Sequence, residues 1–159
     1  MKNLFLTATT ATAIIMVPAA FADGEIFFDD VPVQVMETAI STAPDLNFDR
    51  VSIETENGVR VYEFEATTHD GKHVEVDVLE DGTLDEVEME TELSDVPASV
   101  IKVLQTEKPG FEPSFIEASV RANGVFAYEF SGTTIDGQDI DIEISEDGDV
   151  LSVSGLAAS

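Results

Sequence analysis

Valine and carboxylate alternate along residues 73–79, so Val74, Val76 and Val78 fall on one side of an extended chain and Glu75 and Asp77 on the other. The same two-residue period recurs in stretches separated by Asn-Gly or Asp-Gly dipeptides at 57–58, 70–71, 81–82, 123–124, 136–137 and 147–148. These turn signals predict strands at 51–56, 59–66, 73–78 and 84–90, then at 116–122, 125–132, 139–144 and 149–154. Asn57-Gly58 and Asn123-Gly124 predict two-residue type I′ turns, whose central positions both need positive φ. Ahead of each strand group the period becomes helical. Residues 31–43 align Val31, Val35, Met36, Ala39, Ile40 and Ala43, with Asp29 or Asp30 as cap, Pro32 in the first turn and Pro44 as stop. The second stripe is Val96, Val100, Ile101, Val103 and Leu104, capped by Ser94 or Asp95 and ended by Pro109-Gly110.

The two groups are copies. Asn57 to Leu84 realigns with Asn123 to Val150 at a constant shift of 66, sharing Asn-Gly-Val, Tyr-Glu-Phe, Thr-Thr, Asp-Gly and Glu-Asp-Gly. Asp-Val-Pro at 30–32 and 95–97 extends the match upstream with one residue inserted between. The expected fold class is therefore α+β, two tandem repeats at 23–92 and 93–159, each a helix packed on a four-stranded antiparallel β-meander. Tyr62, Phe64, Tyr128 and Phe130 occupy equivalent positions and belong to the core; Phe27 and Phe28 read as a hydrophobic staple ahead of the first helix. How the two sheets lie against each other is open at this level.

Residues 1–22 carry Lys2, an apolar run from Ala11 to Val17, Pro18, and Ala20 and Ala22 around Phe21, the form of a secretory signal peptide with an A-x-A cleavage site. Cleavage after Ala22 leaves Asp23 to Ser159, 137 of the 159 residues, in a periplasmic or secreted setting, and loss of Lys2 takes the net charge from −26 to −27. Six basic residues then face 33 acids. Nucleic acid and anionic membrane surfaces share that sign and are repelled, leaving basic proteins and metal cations as partners. The chain contains no cysteine, so stability rests on packing.

A helix followed by the Tyr-Glu-Phe strand, Asp-Gly-Lys turn, Val-Glu-Val-Asp strand and Asp-Gly turn of residues 62–88 resembles the PepSY and PepSY-like domains of exported bacterial proteins, and residues 128–153 look like a second copy. The tandem arrangement is similar to the beta-lactamase-inhibitor-like group, with a helix on a four-stranded sheet in each repeat. The resemblance covers residues 29–154. It implies a non-catalytic module that binds, regulates or inhibits a partner, and it carries over no individual site residue, since the matching positions are turn and core residues.

The chemistry-bearing residues agree with a non-enzymatic reading. No G-x-S-x-G, phosphate-binding glycine loop or H-E-x-x-H occurs, and the histidines are His69 and His73, flanking the Asp70-Gly71 turn. A transition metal held by that pair would lack the third and fourth ligands of a firm zinc site. Residues 136–149 superficially match an EF-hand loop but lack its sixth-position glycine. Alternation instead gathers Glu63, Glu65, Glu75, Asp77, Glu86, Glu88 and Glu90 on the outer face of the first sheet, opposite inward Val87 and Met89. Glu129, Asp141 and Glu143, beside Ser152 and Ser154, form a milder counterpart in the second. Such a plate is a solvated face, a docking face for a protein with a basic surface, or a site for calcium or a lanthanide.

Overall fold

The computed structural model describes residues 24–56 and 58–155. The leader lies outside them, as does Asn57 of the first Asn-Gly turn. Strands β1 (Gly24–Glu25), β2 (Phe48–Glu56), β3 (Val59–Thr67), β4 (His73–Leu79), β5 (Leu84–Glu90), β6 (Phe115–Arg121), β7 (Phe126–Thr133), β8 (Asp139–Ser145) and β9 (Val150–Gly155) run antiparallel in a single sheet, each beside its neighbour in sequence. Helices α1 (Val33–Thr42) and α2 (Ala98–Glu107) pack on one face of it.

This overturns the expected fold class. The strands do not form two separate helix-plus-meander units; the molecule is mostly β, one nine-stranded sheet with two short helices. The reason is the ladder between β5 and β6, from Glu86 opposite Arg121 to Glu90 opposite Glu117. A meander ending at β5 would leave a row of unpaired backbone groups, and β6 satisfies them.

The alternation of side chains continues through that junction, so one face stays apolar across the sheet. Val35 and Ala39 of α1 pack with Val51, Ile53, Tyr62, Phe64, Val76 and Val78; Val100 and Leu104 of α2 pack with Ile116, Tyr128, Phe130, Ile142 and Ile144. The four aromatic residues expected in the core are buried there, Phe64 and Phe130 completely. Each such side chain contributes roughly 1.5–3 kcal/mol by leaving water. Between the two helices the apolar face is thinly covered: Met89 and Val120 lie on it, yet each remains 45% exposed.

Several local expectations need correction. Both helices begin one residue after proline, with Pro32 and Pro97 as N-caps and no side-chain cap; neither Asp29, Asp30, Ser94 nor Asp95 serves. A residue before proline is pushed out of helical geometry, so Val31 and Val96 cannot be helical. Ile40 is 53% exposed, because a ten-residue helix lying on a sheet buries only the Val35–Ala39 stripe. Phe27 is 80% exposed and forms no staple. The Asn123-Gly124 turn is a three-residue loop: Gly124 N–H donates to Arg121 O at 2.8 Å and Arg121 N–H to Val125 O at 2.9 Å. Gly124, at φ +84°, supplies the left-handed third residue.

Candidate functional site

Because most apolar residues turn toward the helices, the opposite face collects their polar neighbours, with Val59, Val61, Leu79 and Leu151 the apolar residues along it. Three rows cross it. Glu65, Glu75, Glu88 and Ser119 stand directly opposite one another on β3 to β6. Ser52, Glu63, Asp77, Glu86 and Arg121 make a second row from β2 to β6. Glu90, Glu117, Glu129, Glu143 and Ser152 make a third from β5 to β9. The sheet curves around them into a basin of about 1140 Å³ lined by thirteen carboxylates and two arginines.

Six of the seven expected site residues line the basin: Glu63, Glu65, Glu75, Asp77, Glu86 and Glu88. Glu90 stands aside, its carboxylate accepting the His73 backbone N–H at 3.0 Å. The acidic cluster of the second half is not a separate, milder patch. The β5–β6 ladder brings Glu117, Glu129, Asp141 and Glu143 into the same basin. Glu117 was not among the expected residues; its alternation with Ile116 was the signal for the outer face, but only the pairing of β5 with β6 puts it beside Glu90. Matching irregularities between Asp77/Val78 and Glu143/Ile144 turn Asp85 and Leu151, 66 residues apart, toward the basin.

Two arginines and a histidine stand among these acids. Arg50 pairs with Glu65. Arg121 bridges strands, its Nη2 2.5 Å from Glu143 Oε2 and its Nε 3.5 Å from Glu86 Oε2. His73 Nδ1 lies 3.0 Å from Glu117 Oε1 and Nε2 3.4 Å from Glu65 Oε2, with the Phe115 ring edge beside it. His69 stays exposed in its turn, so the two histidines do not converge on a metal.

Six of the basin carboxyls resist ionisation. Desolvation, then the charges of Glu63, Glu117 and Glu65, push Glu75 up to about 8. Desolvation, with Glu117, Glu129 and Glu86, pushes Glu88 to about 10; desolvation and Asp141 take Glu129 to about 7. Asp77 rises well above the usual range through burial and then Glu75. Glu117 and Glu143 are raised by desolvation, opposed by His73 and Arg121 respectively. For His73, desolvation opposes protonation, but the hydrogen bonds to Glu117 and Glu65 outweigh it and its pKa is raised.

Two of the carboxylates that line the basin, Asp77 and Glu143, are at least nine-tenths buried, and each keeps a buried oxygen without any hydrogen-bond partner, Asp77 Oδ1 and Glu143 Oε1. Side-chain oxygens of Glu75, Asp77 and Glu88 converge within 4.8 Å of one another, as do ligand atoms of Glu65, His73 and Glu75. Such an arrangement is suited to receive positive charge.

No protein-family model matches the chain, and no curated protein matches it in sequence. The fold, however, has solved counterparts. A DUF2874 family protein from Bacteroides uniformis is 12% identical with a TM-score of 0.58, over 78% of this chain and 88% of that one. A Bacteroides eggerthii protein provisionally assigned to the periplasm is 13% identical with a TM-score of 0.59, over 79% and 88%. A BLIP-like protein from Bacteroides fragilis is 14% identical with a TM-score of 0.52, over 79% and 86%. These agree with the beta-lactamase-inhibitor-like part of the resemblance at the level of fold, and do not reach the PepSY part. No helix among the described residues is long and apolar enough to cross a membrane.

Proposed function

We propose that the chain is an exported, non-enzymatic binding module, periplasmic in setting, whose acidic basin receives a basic segment of a protein partner. The observation that carries this reading is the basin itself, a mainly acidic surface whose lining includes Asp77 and Glu143, each with a buried oxygen that has no partner. At about 1140 Å³ it exceeds the roughly 300–1,000 Å³ of ordinary small-molecule pockets, and its thirteen carboxylates contrast with their mainly apolar walls. A lysine- or arginine-rich segment matches both its size and its charge, and the field of the basin would steer that segment in. The leader supports export. The provisional periplasmic assignment of the Bacteroides eggerthii protein and the BLIP-like description of the Bacteroides fragilis one are in keeping with an exported binding module.

The test uses fluorescence anisotropy with a lysine-rich peptide of about ten residues at physiological ionic strength, where the Debye length is about 8 Å. Glu54→Gln/Asp85→Asn/Asp141→Asn removes three carboxylates that line the basin. Glu37→Gln/Asp45→Asn/Glu107→Gln removes the same charge from exposed positions elsewhere. Docking in the basin predicts that the first variant loses binding while the second keeps it. Equal loss in both would reduce the interaction to net charge and overturn the reading.

A further inference from the structure

The geometry points to a hard-cation site on the floor of the basin, formed by Glu75, Asp77 and Glu88, for a calcium-sized divalent ion. Glu75 and Asp77 are two residues apart on β4, and Glu88 of β5 stands directly opposite Glu75. Their oxygens lie within 4.8 Å of one another. Oxygens around one calcium ion sit at most roughly 5 Å apart, twice the 2.3–2.6 Å bond, so the three carboxylates can share one ion.

Crowded acids alone do not make a site; Asp77 supplies the separate reason. It is 8% exposed, and its Oδ1 has no hydrogen-bond partner. A buried carboxylate oxygen left without a donor is costly, and a cation on the basin side removes that cost. Ser119, opposite Glu88 on the neighbouring strand, is fully buried with its hydroxyl likewise unpartnered, a second polar group there without a donor or acceptor. The basin's arginines are engaged elsewhere, Arg50 with Glu65 and Arg121 with Glu86 and Glu143. The donors are all oxygen, which selects a hard ion over zinc or copper.

An ion bound here would neutralise part of the floor and so oppose entry of a basic segment. That consequence rests on the docking reading; the site does not.

Calorimetry of calcium chloride into chelator-stripped mature protein, in sodium chloride at physiological ionic strength, tests the site. We expect saturable binding of one ion that Asp77→Asn and Glu88→Gln each weaken by about tenfold or more and that Glu37→Gln, on the exposed face of α1, leaves unchanged. A thermal melt shows whether each variant remains folded. Absence of saturable heat, retention of affinity in folded Asp77→Asn, or equal weakening by Glu37→Gln would each overturn the proposal, the last by showing only a diffuse ion atmosphere. Because the peptide assay is run without calcium, docking can fail while the ion binds, and the ion can fail while docking holds.

Discussion

Asp77 and Glu88 sit in ladder positions where a neutral residue would ordinarily be found. Each faces another acid directly across the strand, an arrangement that is destabilising. The carboxyls respond by holding protons. With pKa values of about 7 at Glu129, 8 at Glu75 and 10 at Glu88 against an ordinary 4.5, the folded chain binds more protons than the unfolded one across that interval. Stability therefore falls as pH rises through it. His73 acts in the same sense: its raised pKa favours the fold while the ring is protonated, an effect fully present below its ordinary 6.5 and lost as pH climbs past the folded value. In metal-free buffer the melting temperature should be highest near pH 5 and decline toward pH 8, the reverse of ordinary acid denaturation; a rise over that interval would contradict this account. Glu88→Gln removes one source of the proton demand and can donate to neighbouring carboxylates. It should stabilise the protein at pH 8 by on the order of 1–2 kcal/mol and flatten the decline, as seen in urea unfolding at the two pH values. Asp85 and Leu151 reach the polar face only through the irregularities at Asp77/Val78 and Glu143/Ile144, but the sharing of that face by the seven expected carboxylates was legible from alternation. How deeply they are buried was not, because burial depends on the curvature of the sheet.

Elements dock through turns as much as through the core. The β4–β5 turn touches α1: Thr38 Oγ1 donates to Gly82 O at 2.7 Å, and Gln34 Nε2 to Glu80 O at 3.2 Å. Gly82 has φ +86°, and a Cβ there would meet Gln34 Cγ at 3.0 Å and its carbonyl oxygen at 3.2 Å. Gly71 has nearly the same backbone, φ +87°, with nothing within 4 Å of its missing Cβ. Alanine at Gly71 should thus cost only the conformational penalty, about 1 kcal/mol, while alanine at Gly82 should cost about 2–3 kcal/mol by forcing α1 away. Denaturant midpoints of the two variants measure the difference; equal losses would mean that the Gly82 contact does not hold the helix. The Asp-Gly and Asn-Gly pairs announced these turns in the sequence. They did not distinguish two-residue from three-residue loops, since both demand a left-handed glycine. Helix starts were placed early for a related reason: aspartates near a helical stripe look like caps, whereas the restriction before Pro32 and Pro97 decides where the helix begins.

At the scale of the whole molecule, the same ladder that joins the halves raises the question of what stops the sheet from growing. In the β5–β6 junction Met89 lies opposite Ala118 and Val87 opposite Val120. A shift of 66 carries Val87 and Met89 to Val153 and Gly155 on β9, an edge strand exposed along its length. Ala118, which pairs with Tyr128, corresponds to Ile53 on β2, which pairs with Tyr62. Copying the internal junction between two molecules would therefore set Gly155 of one against Ile53 of the next. That position is already taken, because Gly24 of β1 pairs with Ile53 and Glu25 with Ser52. Such a contact is heterologous and does not close on itself, so an uncovered β2 would seed open chains rather than dimers. A mature protein lacking residues 23–25 should associate in a concentration-dependent way once salt screens its negative charge, and Val153→Lys on β9 should suppress that association. Sedimentation velocity at low and high salt reads this directly; a truncated chain that stays monomeric at high concentration and high salt would show that β1 is not the barrier. Neither the junction nor its cap could be read from the alternating pattern, since the same sequence of strands is compatible with two sheets or one until β5 and β6 are paired. That single pairing also turns two acidic faces into one basin.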